Sequence, residues 1–228
     1  FGTEPYSEQP LMPTKKIEGL RSDGTLHMDH KLVIHKPIPK EGKLHLEKVI
    51  SAVYDRGEGK GAKINVDIIA KDGAGEPVFT NTMGYLNRWA GGFGGPKVPH
   101  STVVIPEREA DYEIKDAYPE NAPLLYRLTG DTYPLHADPA FAKKAGFDRP
   151  IVHGLCSLGY ACRMMIDALF PGEPERMVSI ENQFRAVALP GDHFTLHVWK
   201  TGENEALFRM VKDSDGKAIL DYGRMTWK

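Results

Sequence analysis

Residues 31–50 read KLVIHKPIPKEGKLHLEKVI, and residues 182–200 read NQFRAVALPGDHFTLHVWK. Each is an alternating apolar run, a turn built on Pro-x-x-Gly or Pro-Gly, and a second alternating run, the pattern of two strands joined by a hairpin. Each pair is followed by two more alternating segments: 62–71 and about 77–89 in the first copy, 205–212 and 218–227 in the second. Turns such as Asp72-Gly73-Ala74-Gly75 and Asp213-Ser214-Asp215-Gly216 separate them. A four-strand meander that occurs twice predicts two similar antiparallel sheets. The charged stretch 111–120 between the copies reads as a solvated linker. The one long helix expected is 154–170, apolar almost throughout, as befits a helix wrapped by a curved sheet. The reading is therefore an α+β chain with a first repeat at 1–110, a linker at 111–123 and a second repeat at 124–228 that carries the central helix.

Composition narrows the function. With 228 residues and 41% hydrophobic content the chain can build a sizeable core, and a formal charge of −2 argues against a nucleic-acid surface. Cys156 and Cys162 lie on one expected helix, on different faces, and read as reduced core residues. The apolar run 151–170 contains His153, Arg163 and Asp167, which fits a buried helix and not a membrane span. No signal peptide is visible at the start, and the final Met-Thr-Trp-Lys is not a peroxisomal Ser-Lys-Leu address, so a cytoplasmic protein is expected.

Chemistry concentrates in 126–159, YRLTGDTYPLHADPAFAKKAGFDRPIVHGLCSLG. Asp131 and His136 stand five residues apart across Pro134, which breaks any regular helix, so the pair sits on a bent loop and can converge on one small molecule. Gly154 opens the long helix, where an unsatisfied N–H and the helix dipole favour developing negative charge. Asp138-Pro139 reads as an N-cap and first residue of a short helix that Gly146 closes. An isolated Asp131 would read as a turn former, and an isolated His136 as a core histidine; their combination with Gly154 points to acid–base work on a polarised carbonyl. His153 reads as structural, setting the entry to the helix.

This segment resembles the signature of hydratase 2, the (R)-specific 2-enoyl-CoA hydratases of the MaoC-like hot-dog superfamily, as in the hydratase domain of peroxisomal multifunctional enzyme type 2. The shared pattern includes Tyr126-Arg127-Leu128, Gly130-Asp131, Pro134-Leu135-His136, Asp138-Pro139, Ala145-Gly146-Phe147, Pro150-Ile151 and His153-Gly154-Leu155-Cys156. In the first half the resemblance extends to Leu26-His27, the turn 36–43, Asp55-Arg56-Gly57-x-Gly59 and the glycine run 91–95. One departure stands out: Tyr133 occupies the place of the family's Asn. Either its ring turns out of the site or it reshapes the pocket, and the retained Asp131 and His136 favour the first.

The resemblance implies a double hot-dog fold and hydration of trans-2-enoyl-CoA to (3R)-3-hydroxyacyl-CoA in fatty-acid β-oxidation or related acyl-CoA metabolism. It implies Asp131 and His136 as the pair that holds the water, with the Gly154 N–H on the thioester oxygen. Substrate contacts carry over to His27, Met28, Arg56, Thr132, Tyr133, Pro134, Leu135 and Phe184, with Gly92, Phe93 and Gly94 as a candidate CoA loop. Arg56 supplies a cation suited to a CoA phosphate. No cofactor beyond the coenzyme A of the substrate and no metal is implied; a homodimer is expected, and a peroxisomal location is the alternative if the chain forms part of a longer one. Phe1-Gly2 resembles the tail of the family's opening segment, so the first repeat reads as lacking its N-terminal helix and the functional Glu that precedes it. Because the first repeat carries no copy of the catalytic helix signature, one active site per chain is expected. Two other readings stand beside this one: a related dehydratase acting on branched, steroid or diacid CoA esters, and a non-catalytic acyl-CoA-binding or partner subunit.

Two further features carry less. By spacing alone, the glycine run 91–95 lacks both the P-loop ending and a strand–helix setting, and reads as a flexible strand connection. His27, His30, His35 and His45 form no metal-ligand pattern, and strand alternation is expected to split them between faces.

Overall fold

The computed structural model describes residues 25–228. The expectation about Phe1-Gly2 lies outside these residues. The first half supplies four strands, β1 (Thr25–Ile34), β2 (His45–Asp55), β3 (Ala62–Lys71) and β4 (Pro77–Asn87). After β5 (Tyr112–Ala117) come three helices, α1 (Ala122–Arg127), α2 (Pro139–Lys144) and α3 (Gly154–Leu169). The second half then repeats the meander as β6 (Met177–Phe184), β7 (His193–Gly202), β8 (Glu205–Lys212) and β9 (Ala218–Trp227).

Strand order is β2-β3-β4-β1-β6-β9-β8-β7-β5. Counted outward from the middle, each half runs first, fourth, third and second strand, so the halves mirror one another about the β1/β6 seam. His30 stands opposite Asn182 there, and Leu32 opposite Ile180. The two sheets expected from the repeat are thus halves of one continuous antiparallel sheet. Pairing β1 with β6 satisfies a backbone edge that each half would otherwise leave open.

Alternation builds each strand as the sequence implies. In β3, Ala62, Ile64, Val66, Ile68 and Ala70 are buried, while Lys63, Asn65, Asp67, Ile69 and Lys71 lie on the other face, partly exposed. The stretch 111–123 corrects the linker reading. Within it β5 pairs with β7, Tyr118 is buried and its hydroxyl donates to Ser157 Oγ at 2.8 Å. Tyr112 and Ile114 pack on the core while Glu113 and Lys115 face solvent, so half of a short amphipathic strand passed for a charged linker.

Helix α3 lies against the second half of the sheet. Leu158, Ala161, Cys162, Met164 and Met165 are buried in one cluster with Ile180, Phe194, Phe208, Met210 and Leu220. Each large side chain so buried contributes about 1.5–3 kcal/mol relative to exposure. Arg163 points outward to Asp116, and both cysteines are free and buried. On the first half, Ile64, Val66, Ile68, Met83 and Tyr85 form a smaller cluster of their own. Among the described residues the first half has no long helix.

Candidate active site

The loop after α1 is held from several sides. Arg127 Nη1 donates to the carbonyl oxygens of Thr132 at 2.8 Å and Tyr133 at 3.3 Å. The Tyr133 N–H donates to Asp131 Oδ1 at 3.2 Å, which turns the chain into a single 3-10 turn at Pro134–His136. His136 Nδ1 lies 2.9 Å from the carbonyl oxygen of Ile151. A carbonyl only accepts, so Nδ1 carries the hydrogen and Nε2 of the neutral ring is the free acceptor. Burial lowers the pKa of His136 below its ordinary value, and the Ile151 bond and the Asp131 charge oppose that fall. Asp138 takes the structural role expected of it, accepting from the N–H groups of Ala140 and Phe141 at the start of α2, and Gly146 follows the helix with φ +92°.

Helix α3 delivers the other half of the chemistry. His153 is its N-cap residue in extended conformation, and Gly154 its first residue, so the Gly154 N–H is among the donors that no helical turn satisfies. A Cβ there would lie 2.9 Å from Phe184 Cδ1, which is why the position suits glycine. The His153 ring lies between two others, stacked on His136 at 3.6 Å between centroids and tilted on Tyr126 at 4.7 Å. Burial, and after it the neighbouring His136, pushes His153 down to about 3.

The first half supplies a wall. His27 meets the edge of Phe184 at 4.8 Å and stacks on Tyr85 at 5.2 Å. Burial and the adjacent His30 push His27 down to about 3. The Tyr85 hydroxyl donates to Met83 Sδ, and burial together with the Asp131 charge raises its pKa, so it stays protonated. Strand alternation does not split His27 from His30. A bulge between His27 and Asp29 shifts the register, and the two rings lie 5.6 Å apart. The Tyr133 ring is 40% exposed, packs on Phe141 at 5.4 Å and meets His136 edge-on at 6.2 Å.

Arg56 and the glycine run form a separate group. Arg56 sits just beyond β2, three strands from β1, roughly 14 Å away at normal strand spacing. Asp55 accepts the N–H groups of Gly57, Gly92 and Gly94, each at 2.8 Å, and these bonds hold its carboxyl below the usual range. The run is therefore a clasped loop and not the flexible connection its composition suggested. Its Gly92 and Gly94 donors are already engaged, and Phe93 is exposed beside them. Sequence reasoning missed three participants: Tyr85, for which strand alternation gives no marker, Arg127, and the stacking role of His153.

A profile of the MaoC like domain matches residues 101–220, and one of the MFE-2 hydratase 2 N-terminal domain matches residues 8–88. A protein of Dictyostelium discoideum named probable enoyl-CoA hydratase 2 is 35% identical over 91% of this chain and 72% of its own. The chain belongs to the MaoC-like family. A MaoC-like dehydratase from Phytophthora capsici superposes with a TM-score of 0.82 at 32% identity, covering 90% of this chain and 72% of that one. A Mycobacterium tuberculosis protein with a double hotdog fold superposes with a TM-score of 0.56 at 15% identity, covering 89% of this chain and 74% of that one, a likeness of fold alone. The MaoC-like match takes in the Asp131–His136 loop and α3, and the hydratase 2 match takes in the strands that carry His27 and Tyr85.

Proposed function

We propose that this MaoC-like chain is an (R)-specific enoyl-CoA hydratase, adding water reversibly to trans-2-enoyl-CoA to give (3R)-3-hydroxyacyl-CoA. The observation that carries the reading is the convergence of the Asp131–His136 loop on the start of α3, with His136 Nδ1 tied to Ile151 so that Nε2 is the acceptor. In the proposed step the thioester oxygen accepts the Gly154 N–H, which draws electron density from C3. A water between Asp131 and His136 loses one proton to Nε2 as its oxygen bonds to C3; the electron pair of the alkene moves to C2, and the proton on Nε2 is delivered there. Asp131 accepts the water's second hydrogen bond and sets its direction. Membership of this family and the name of the Dictyostelium relative support the substrate class.

The Tyr133 ring is 40% exposed and packs on Phe141 as well as edge-on to His136, and a ring so turned toward solvent favours this reading over a non-catalytic acyl-CoA binder. Arg56, with Phe93 and the clasped loop beside it, is proposed to meet the coenzyme A moiety, and His27, Met28 and Phe184 the acyl thioester. Hydration of crotonyl-CoA and of a longer enoyl-CoA, with chiral analysis of the product, tests the assignment. A (3R) product supports it; a (3S) product, or no turnover of either, overturns it.

A further inference from the structure

The seam beneath α3 carries a row of buried polar side chains. His30 on β1 stands opposite Asn182 on β6, and Asn81 on β4 lies beside Leu32, two residues along β1 on the same face. All three are buried, 1–3% exposed. Among the described residues, both ring nitrogens of His30, both amide atoms of Asn182 and Asn81 Oδ1 have no partner at hydrogen-bonding geometry, although Asn81 stands close enough to His30 to oppose the fall in its pKa. Buried polar groups persist in folded proteins when something occupies them, because leaving them bare forfeits their hydration.

A small cavity adjoins this row. It is lined by His30, Leu32 and Ile180 from the sheet and by Leu155, Leu158, Gly159 and Cys162 from α3, so His30 reaches into it while Asn182 stands across the seam, just outside the lining. At about 10 Å³ it has room for one oxygen-sized group. The cavity lies next to the reacting centre. Leu155 directly follows Gly154, and Phe184, which touches the Gly154 position, is two residues along β6 from Asn182 on the same face. The charged residues of the seam, Lys31 and Glu181, alternate to the opposite face and pair there.

We propose that this cavity is a polar subsite for the acyl group, in which His30 binds a neutral hydroxyl or keto oxygen carried beyond C3, with the Asn182 amide opposite it at the cavity's edge as the second partner and a water there when the acyl group is plain. The inference rests on the enoyl-CoA hydratase reading and adds a substrate class to it. The ligand is neutral because its hosts are. Burial pushes His30 down to about 4, so its ring is uncharged at neutral pH, and Asn81 and Asn182 carry no charge. A carboxylate there would lose its hydration with no cationic side chain among the described residues lining the cavity to replace it.

The experiment compares the CoA esters of crotonate and 4-hydroxybut-2-enoate as substrates, and those of butyrate and 4-hydroxybutyrate as ligands in calorimetry. It uses the native chain, His30→Leu and Asn182→Ala, with folding checked by circular dichroism melting. The native chain is expected to favour the hydroxylated ester at least tenfold in kcat/KM and fivefold in Kd, and both variants are expected to bring each ratio near one. Ratios near one in the native chain, or unchanged in both folded variants, overturn the subsite. Binding selectivity without turnover of either enoyl ester would instead overturn the hydratase reading and leave the subsite standing; turnover without selectivity does the reverse.

Discussion

Arg127 Nη1 donates to the Thr132 carbonyl at 2.8 Å, so a guanidinium at the end of α1 grips the backbone between Asp131 and Pro134. Its charge also lowers the pKa of His136, against the opposing Asp131 charge and Ile151 bond. His153, stacked on that ring, and Tyr133, edge-on to it, face it as neutral groups. Arg127→Gln should therefore lower kcat by about tenfold through a looser loop. Losing the cation also raises the pKa of His136, so the acidic limb of the kcat profile should move to higher pH. An unmoved limb would show that Arg127 braces the backbone alone.

Asp131→Asn and His136→Gln keep shape and remove acid–base capacity. Each should reduce kcat by roughly 10²-fold or more in a folded protein. Turnover near the native level in either variant, measured on crotonyl-CoA, would remove that residue from the proposed chemistry.

At Gly154 the added methyl of alanine would meet the Phe184 ring at 2.9 Å. The ring must give way where the thioester is expected to lie. Gly154→Ala should cut kcat/KM about tenfold, roughly 1.4 kcal/mol. Combining it with Phe184→Leu should recover part of that loss; no recovery in the double variant would place the damage in the backbone and not in this contact.

Tyr133 packs on Phe141 at 5.4 Å and meets His136 only edge-on, at 6.2 Å between centroids. Tyr133→Asn should leave kcat within about threefold of native. A fall beyond tenfold, about 1.4 kcal/mol in barrier, would show that the hydroxyl takes part in the reaction.

Buried histidines make the fold sensitive to acid. His27 and His153 are pushed down to about 3 and His30 to about 4, below the ordinary 6.5. From 6.5 downward the unfolded chain binds protons that the native state refuses, so stability falls with pH over that window. Between pH 6.5 and 5 each such group costs at most about 2 kcal/mol. Urea midpoints should decline across this range, and less steeply in His30→Leu. A flat profile would mean that these rings take up protons in the native state.

What the sequence discloses is local. The meander, the cap at Asp138 and the helix beginning at Gly154 each leave a mark within a few residues, whether period-two alternation, an Asx-Pro pair or a glycine before an apolar run. The bulge that brings His27 beside His30 leaves none, because a one-residue slip in register changes the face without changing composition. Tyr85 reaches the Asp131 side of the site through pairing of β4 with β1, a relation between distant segments. The Asp55 clasp was hidden for a different reason: a glycine run looks mobile until its donors are seen to be occupied.

The continuous seam between β1 and β6 has a consequence for how such a site can change over time. In a pair of identical subunits every substitution appears twice, and both walls of a shared cleft must accept it. Here His27 and Tyr85 lie on one half while His136 and Gly154 lie on the other, and each half mutates alone. Dilution cannot separate them either, since the chain itself holds the partner wall at high effective concentration. One half is thereby free to specialise in holding the acyl group without disturbing the acid–base loop that the other has kept.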